Sequence, residues 1–552
     1  MPGPEKAPPI SAPIGSPFSL ATHRPVTGSR IGIAWQWQIF VFVTAVLAVV
    51  SRRPDALFHP GFFAEDGTIW YADAYNFGWL HSLLNPQNGY FQTLPRLTAA
   101  LALLVPLQFA PLLMNGVAIV LQVLPVNLLL SSRCATWGPL SVRALFALAY
   151  VCLPNSRELD ATITEGQWHI ALLASIVILA SPAKSWAWRT FDIFVIFLCG
   201  LTGPFCLLLL PVGVAFWWMR RDRWRLFLIA AIAACSLLQV SALYFTASTT
   251  RAQMTLGATP QLFLKLLAGQ VYLGAVIGQN TLAANKGSLL LDLVAILGTA
   301  FIVYCLLKAQ LELKFFIVFC ALIYAASLKN PMAAASTAQS QWQVLSSAPG
   351  VRYWFFPMLA FIWALIWCAS SSRSTPVRVI AACCLATMLI GITHDWKYPA
   401  YTNTRFPEYA RRFASASEGT LITIPLFPDG WVVRLAKKGS VCQILPMGTF
   451  DTPAPNTRLP DQVTANGWVT APQPIERVSL YIDHAFVKAV VPDVQRPDVD
   501  KFYLGSPNKD KGWGAVLDAS HIAPGKHELE ARALEKGGCD AEFATVSVER
   551  AP

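Results

Sequence analysis

The chain has 552 residues, 55% of them hydrophobic and only 13% charged, with a mean hydropathy of +0.47. That balance excludes an ordinary water-soluble protein, because apolar runs approaching twenty residues imply repeated membrane spans. The net charge of +11 comes from basic residues set between apolar runs, which marks membrane orientation and excludes a nucleic-acid surface.

Residues 1–33 are rich in Pro, Ser and Gly and carry Lys6, Arg24 and Arg30, the pattern of a disordered basic tail. The apolar run 34–50 follows without a small-residue cleavage site, so it reads as a retained signal-anchor. Residues 52–95 form a polar, aromatic loop in which Glu65 and Asp66 stand together among Phe62, Phe63, Trp70, Tyr71, Asp73 and Tyr75. An acidic pair at the mouth of the first span is a functional-site candidate, because desolvating carboxylates is costly. A solvated loop acid is the plain alternative. The stretch 95–112 is broken by Pro106 and Pro111 and reads as a juxtamembrane helix or a short span.

Further apolar segments lie near 113–131, 143–154, 168–181, 191–202, 204–219, 226–246, 288–307, 315–328, 353–369 and 377–393. With a juxtamembrane 96–112 the count is about eleven spans. Basic residues at Arg133 and Arg143, Lys184 and Arg189, Arg220 to Arg225, Lys308 and Lys314, and Arg373 and Arg378 fall in alternate loops. Excess Lys and Arg mark the cytoplasmic side, so the N-terminus is expected there. The acidic loop, the 155–167 loop, the 247–287 region, the 329–352 loop and everything after His394 then share the opposite face.

After Trp396 the composition changes. Residues 395–466 read as an extracytoplasmic connecting region, with a short helix around 407–414 and a strand over 420–426. From Gly467 to the C-terminus the pattern is β: Val478, Leu480 and Ile482 alternate with polar neighbours, and Asp483-His484 and Ala523-Pro524-Gly525 read as turns. A small antiparallel sandwich over 467–552 is expected. There is no Asn-x-Ser/Thr acceptor. Most of the twelve cysteines belong to apolar segments as small core residues. Cys442 and Cys539 lie in the tail, and their spacing leaves open whether they pair.

An acidic pair in the first external loop, several further spans and then an extracytoplasmic domain resemble the GT-C superfamily of integral membrane glycosyltransferases. The likeness rests on Glu65-Asp66, on Asn155 to His169 as a second external loop, and on Gly350-Val351-Arg352-Tyr353-Trp354-Phe355-Phe356-Pro357 at the entry to a late span. The segment from Gly467-Trp468 to Gly525-Lys526-His527 is similar to a β-sandwich appended to some bacterial glycosyltransferases. The resemblance implies a 34–394 multi-span domain in a bacterial inner membrane, acting as an inverting transferase. It also implies a polyprenyl-phosphate sugar donor and a glycan, lipid or protein acceptor.

Such transfer needs a base to take the acceptor's hydroxyl proton, and the resemblance gives that role to the acidic pair. Asp66 is favoured, with Glu65 holding it or the acceptor. Arg352 is the candidate clamp for the departing phosphate, and it serves equally as an interfacial anchor beside Tyr353. Asp160, Glu165 and His169 are candidates to orient the acceptor or to bind a divalent cation. Trp70 and Tyr71 either stack on sugar or belong to an interfacial aromatic belt. Competing readings are a polysaccharide polymerase or ligase, and a transporter or flippase of lipid-linked glycans. No internal repeat and no nucleotide-binding fingerprint accompany the latter.

Overall fold

The structure is a computed structural model that describes residues 32–246, 255–279, 288–332, 339–348, 350–500, 508 and 510–550. The basic tail expected over 1–33 lies almost wholly outside them, as do parts of the 247–287 and 329–352 regions. Among the described residues, eight helices are long and apolar enough to cross a membrane, from Trp35–Arg52 to Thr375–Asp395. The segments expected near 143–154, 168–181 and 204–219 form shorter apolar helices, Leu140–Val151, Gly166–Leu179 and Phe205–Arg220. The stretch 95–112 is broken, as its prolines require: Thr93–Ala102 ends before Pro106, and Ala110–Leu130 begins a new helix.

The helix Phe355–Ser371 is the axis of the bundle, buried along nearly its whole length. A helix that is apolar on every side has no reason to face water. Trp363 stacks between Phe316 and Phe146, with centroids 4.4 and 4.9 Å away, and its indole donates to the Phe146 carbonyl at 3.1 Å.

The 247–287 region holds an unexpected apolar helical segment, Pro260–Ile277. Its polar interruptions Lys265 and Gln270 hide it from a run of hydropathy. Phe263 packs on Tyr324 and Trp342, Gln270 Nε2 donates to Ser346 O at 3.1 Å, and the Gln279 amide donates to Asp395 at 2.8 Å. Tyr324 lies in the last turns of Leu311–Lys329 and Asp395 ends Thr375–Asp395, at the end of the bundle where Arg352 opens its helix. Both ends of the segment thus meet that end of the bundle, while Tyr272 in its middle reaches Phe361, with ring centroids 4.6 Å apart. At the other end, Arg133 makes a two-pronged pair with Asp192 at 2.6 and 2.9 Å, and Arg220 pairs with Glu312 at 2.6 Å. Arg225 donates to the Ile178 and Ala180 carbonyls, 2.7 Å each. The run from Arg220 to Arg225, read in the sequence as an orienting charge run, ties helix ends together.

After the last long helix, Phe406–Ser415 precedes a hairpin of β1 (Leu421–Pro425) and β2 (Val432–Ala436). This region is not a spacer. The Ala64 amide donates to Phe427 O at 2.6 Å, Thr68 Oγ1 to Val432 O at 2.8 Å, and Asn76 Nδ2 to Arg434 O at 3.0 Å. The hairpin thus braces the acidic loop from the far end of the sequence.

The β-rich end carries two more sheets. One has strand order β4 (Arg458–Leu459), β10 (Asp540–Arg550), β9 (Gly525–Glu535), β6 (Ile475–Ile482), β7 (Ala485–Val490). The other has order β3 (Met447–Thr452), β5 (Gln462–Thr470), β8 (Gly512–Asp518). Their facing side chains, among them Val463, Ala465, Val478, Leu480, Trp513, Leu529 and Val548, share one core. The expected boundary at Gly467 falls inside β5, opposite Phe450 of β3. Strands β3 and β4 were not legible because β3 has no fully buried alternate face and β4 is two residues long. Cys442 and Cys539 form a disulfide that ties the segment after β2 to the β9–β10 turn.

Candidate functional site

The acidic pair is held by the local fold of its loop. Ala64 takes a positive φ of 40°, the Asp66 amide donates to Phe63 O at 2.7 Å, and Asp66–Tyr71 winds as a π-helical turn. Such wide turns recur at functional sites because they re-aim side chains. Here the turn splits the pair. Glu65 lines a cavity of about 320 Å³, whereas Asp66 is fully buried and does not line it.

Asp66 is anchored from the 155–165 loop. Its Oδ1 accepts from the Thr164 amide at 2.9 Å and from the Thr164 hydroxyl at 2.6 Å, while Oδ2 makes no hydrogen bond. The Thr164 hydroxyl in turn accepts from Trp70 Nε1 at 2.9 Å. Burial pushes the Asp66 carboxyl up to about 7 against the pull of the Thr164 donors, and the nearby Glu65 charge adds to the rise.

The cavity joins distant segments. Glu65, Trp70, Gln92, Thr164, Glu165, Trp168, Arg352 and Tyr353 face it, and Leu208, Leu243 and Ile323 give it an apolar wall within the helices. Its volume is within the range of small-ligand sites. Three buried polar atoms on lining residues, Gln92 Oε1, Glu165 Oε2 and Trp168 Nε1, have no hydrogen-bond partner.

Arg352 is already engaged. Its amide donates to Glu158 Oε2 at 2.7 Å, its guanidinium pairs with the Glu158 carboxylate, and the same nitrogen lies 3.3 Å from Glu165 Oε1. Burial raises the Glu165 carboxyl well above the usual range, with the Arg352 charge opposing that rise. Tyr353 lies beneath the guanidinium, and its hydroxyl accepts from the Met332 amide at 2.7 Å.

Three other candidates sit elsewhere. Asp160 is buried against Arg52 at 3.8 Å and accepts from the Gln122 amide group, away from the cavity. His169 bonds Tyr150 Oη at 2.8 Å and Leu159 O at 3.0 Å, also away from it. Both pin the loop that carries Thr164 and Glu165. Tyr71 packs on Phe62 and Tyr75 and faces a different groove. Asp160, Glu165 and His169 therefore do not converge, and among the described residues no group of three His, Cys, Asp or Glu side chains is arranged to hold a metal ion. Sequence reasoning missed Gln92, Glu158, Thr164 and Trp168. The last three lie within the loop already singled out, but nothing local marks Gln92.

No protein-family model matches this chain, and no curated protein matches it in sequence. Among solved structures it is similar to the fibronectin(III)-like modules of Clostridium thermocellum CbhA. The match has 12% identity over 19% of this chain and 100% of that one, with a TM-score of 0.13. A likeness that slight carries no argument about fold or activity.

Proposed function

We propose that this chain is a membrane glycosyltransferase of the GT-C kind that takes a sugar from a polyprenyl-phosphate donor. The observation that carries the reading is the cavity itself. Polar side chains of Glu65, Gln92, Glu165 and Arg352 on its wall suit sugar hydroxyls and a phosphate, and the apolar wall of Leu208, Leu243 and Ile323 suits the lipid. Asp66 acts as general base through its free Oδ2, reached when the acceptor displaces the packing around it. A base near neutrality combines availability with driving force, which the rise to about 7 provides. Thr164 keeps Oδ1 fixed, and Glu65 on the cavity wall orients the acceptor.

Arg352 receives the leaving phosphate. Burial disfavours the charged form of its neighbour Glu165, which weakens that carboxylate's competition with an incoming anion for the guanidinium. In this reading the basic ends of the bundle face the cytoplasm, and the acidic loop and β-rich end lie outside it. The test is to incubate the purified chain with a panel of polyprenyl-phosphate sugars and measure sugar release. Failure of every donor to turn over would sink the reading. A compartment-specific reporter fused at the C-terminus tests the orientation separately.

A further inference from the structure

A second groove, of about 600 Å³, lies on the far face of the acidic loop's continuation. It is lined by the aromatic rings of Tyr75, Trp79 and Phe413 and by the cations Arg411, Lys437 and Lys438. No carboxylate is among its described lining residues. Lys437 Nζ lies over the Phe413 ring at 5.2 Å, and Lys438 Nζ over the Tyr75 ring at 5.0 Å. Lys437 also donates to Ala414 O at 2.9 Å, whereas among the described residues the Lys438 ammonium rests on that ring alone. Burial pushes the Lys438 ammonium down from its ordinary value, a cost that a neighbouring anion would offset.

The groove opens beside apolar surface. Leu103, Val105, Pro106 and Leu107, at the break before Ala110–Leu130, form its floor. Next to them Leu104 is 79% exposed, and Trp79, Leu80 and Leu101 are exposed as well. A soluble domain rarely leaves such side chains together in water, but the boundary of a bilayer accommodates them. Cations resting on aromatic rings in a groove that opens beside exposed leucines match one kind of occupant.

We infer that this groove seats the anionic headgroup of an acidic membrane phospholipid, its phosphate against Arg411, Lys437 and Lys438 and its chains along Leu101 and Leu104. The inference does not depend on the chemistry proposed at the Glu65 cavity. Because Tyr75 belongs to the segment that starts at Asp66, the lipid also braces the acidic loop from outside.

Native mass spectrometry of the full chain, taken from mixed phosphatidylglycerol and phosphatidylcholine vesicles into detergent, tests this. The wild type should retain phosphatidylglycerol in preference to phosphatidylcholine. Each neutralised cation should weaken retention roughly fivefold, and Arg411→Gln/Lys437→Gln/Lys438→Gln by more than about tenfold. Excess inorganic phosphate should not displace the lipid. Equal retention by wild type and triple variant, absence of a lipid preference, or displacement by free phosphate would each overturn the inference. If the triple variant does not fold, Lys438→Gln alone decides, since among the described residues its ammonium makes no hydrogen bond or ion pair and only rests on the Tyr75 ring.

Discussion

The Thr164 hydroxyl donates to Asp66 Oδ1 at 2.6 Å while its own amide donates to the same oxygen at 2.9 Å. One residue of the second loop thus supplies both hydrogen bonds to the buried carboxylate of the first, and both favour its charged form. Removing the hydroxyl should let burial dominate further. Thr164→Val is expected to shift the rising limb of the pH–activity profile upward from about 7, with Thr164→Ser restoring it. An unchanged profile in Thr164→Val would detach this contact from catalysis.

Asp66→Asn should lower transfer by about 10²- to 10⁴-fold, the usual worth of general-base help, with insertion and folding intact. Asparagine keeps the shape and still accepts from Thr164, but it takes no proton at neutral pH. Glu65→Gln should lose less, because in the proposed mechanism Glu65 orients the acceptor and Asp66 carries the proton. Transfer rates of each purified variant at saturating donor measure this. Wild-type turnover in both variants would remove the acidic pair from the mechanism.

The same substitution has a stability signature. The Asp66 carboxyl rises from 3.8 unfolded to about 7 folded, so between those values the folded chain binds more protons than the unfolded one. Stability from this group therefore falls as pH rises from about 4 to about 7, by on the order of 4 kcal/mol at most. Asp66→Asn should melt higher than wild type at pH 8 and much the same at pH 4. Thermal unfolding in detergent across that range checks the slope, and parallel curves would contradict a buried, raised carboxylate.

Arg352→Ala should raise the donor KM about tenfold or more with a smaller change in kcat, since in the proposed mechanism it removes a phosphate partner and not the base. Arg352→Lys should fall between, because an ammonium lacks the planar fork. Loss of kcat alone in steady-state kinetics would assign Arg352 a positioning role toward Glu165 instead.

Replacing Cys442 and Cys539 with alanine should destabilise the β-rich end by about 2–4 kcal/mol, because the bond closes a long stretch of chain, with a sequence separation of 97. Limited proteolysis should then cut first near the β9–β10 turn. Cleavage identical to wild type would mean the sheets alone hold that junction. Truncation at Asn466, a natural cut from sequence alone, would instead bisect β5 and strand Cys442.

The elements legible in the sequence were those with a local signature. Apolar runs predict helices because a membrane-length helix must be apolar throughout. Val478, Leu480 and Ile482 predict a strand because alternate side chains face one core. Glu65 and Asp66 stood out because two carboxylates beside an apolar span are costly. What the tertiary structure alone decided is which of those groups meet. Glu65, Gln92, Glu165 and Arg352 come from four separated stretches, and only folding brings them to one cavity. Only folding turns Asp66 away from that cavity and lays β2 against the loop that holds it. The sequence was silent on the burial of Phe355–Ser371 for a related reason: lipid tails are as apolar as leucine, so a helix facing lipid and one facing protein have the same composition.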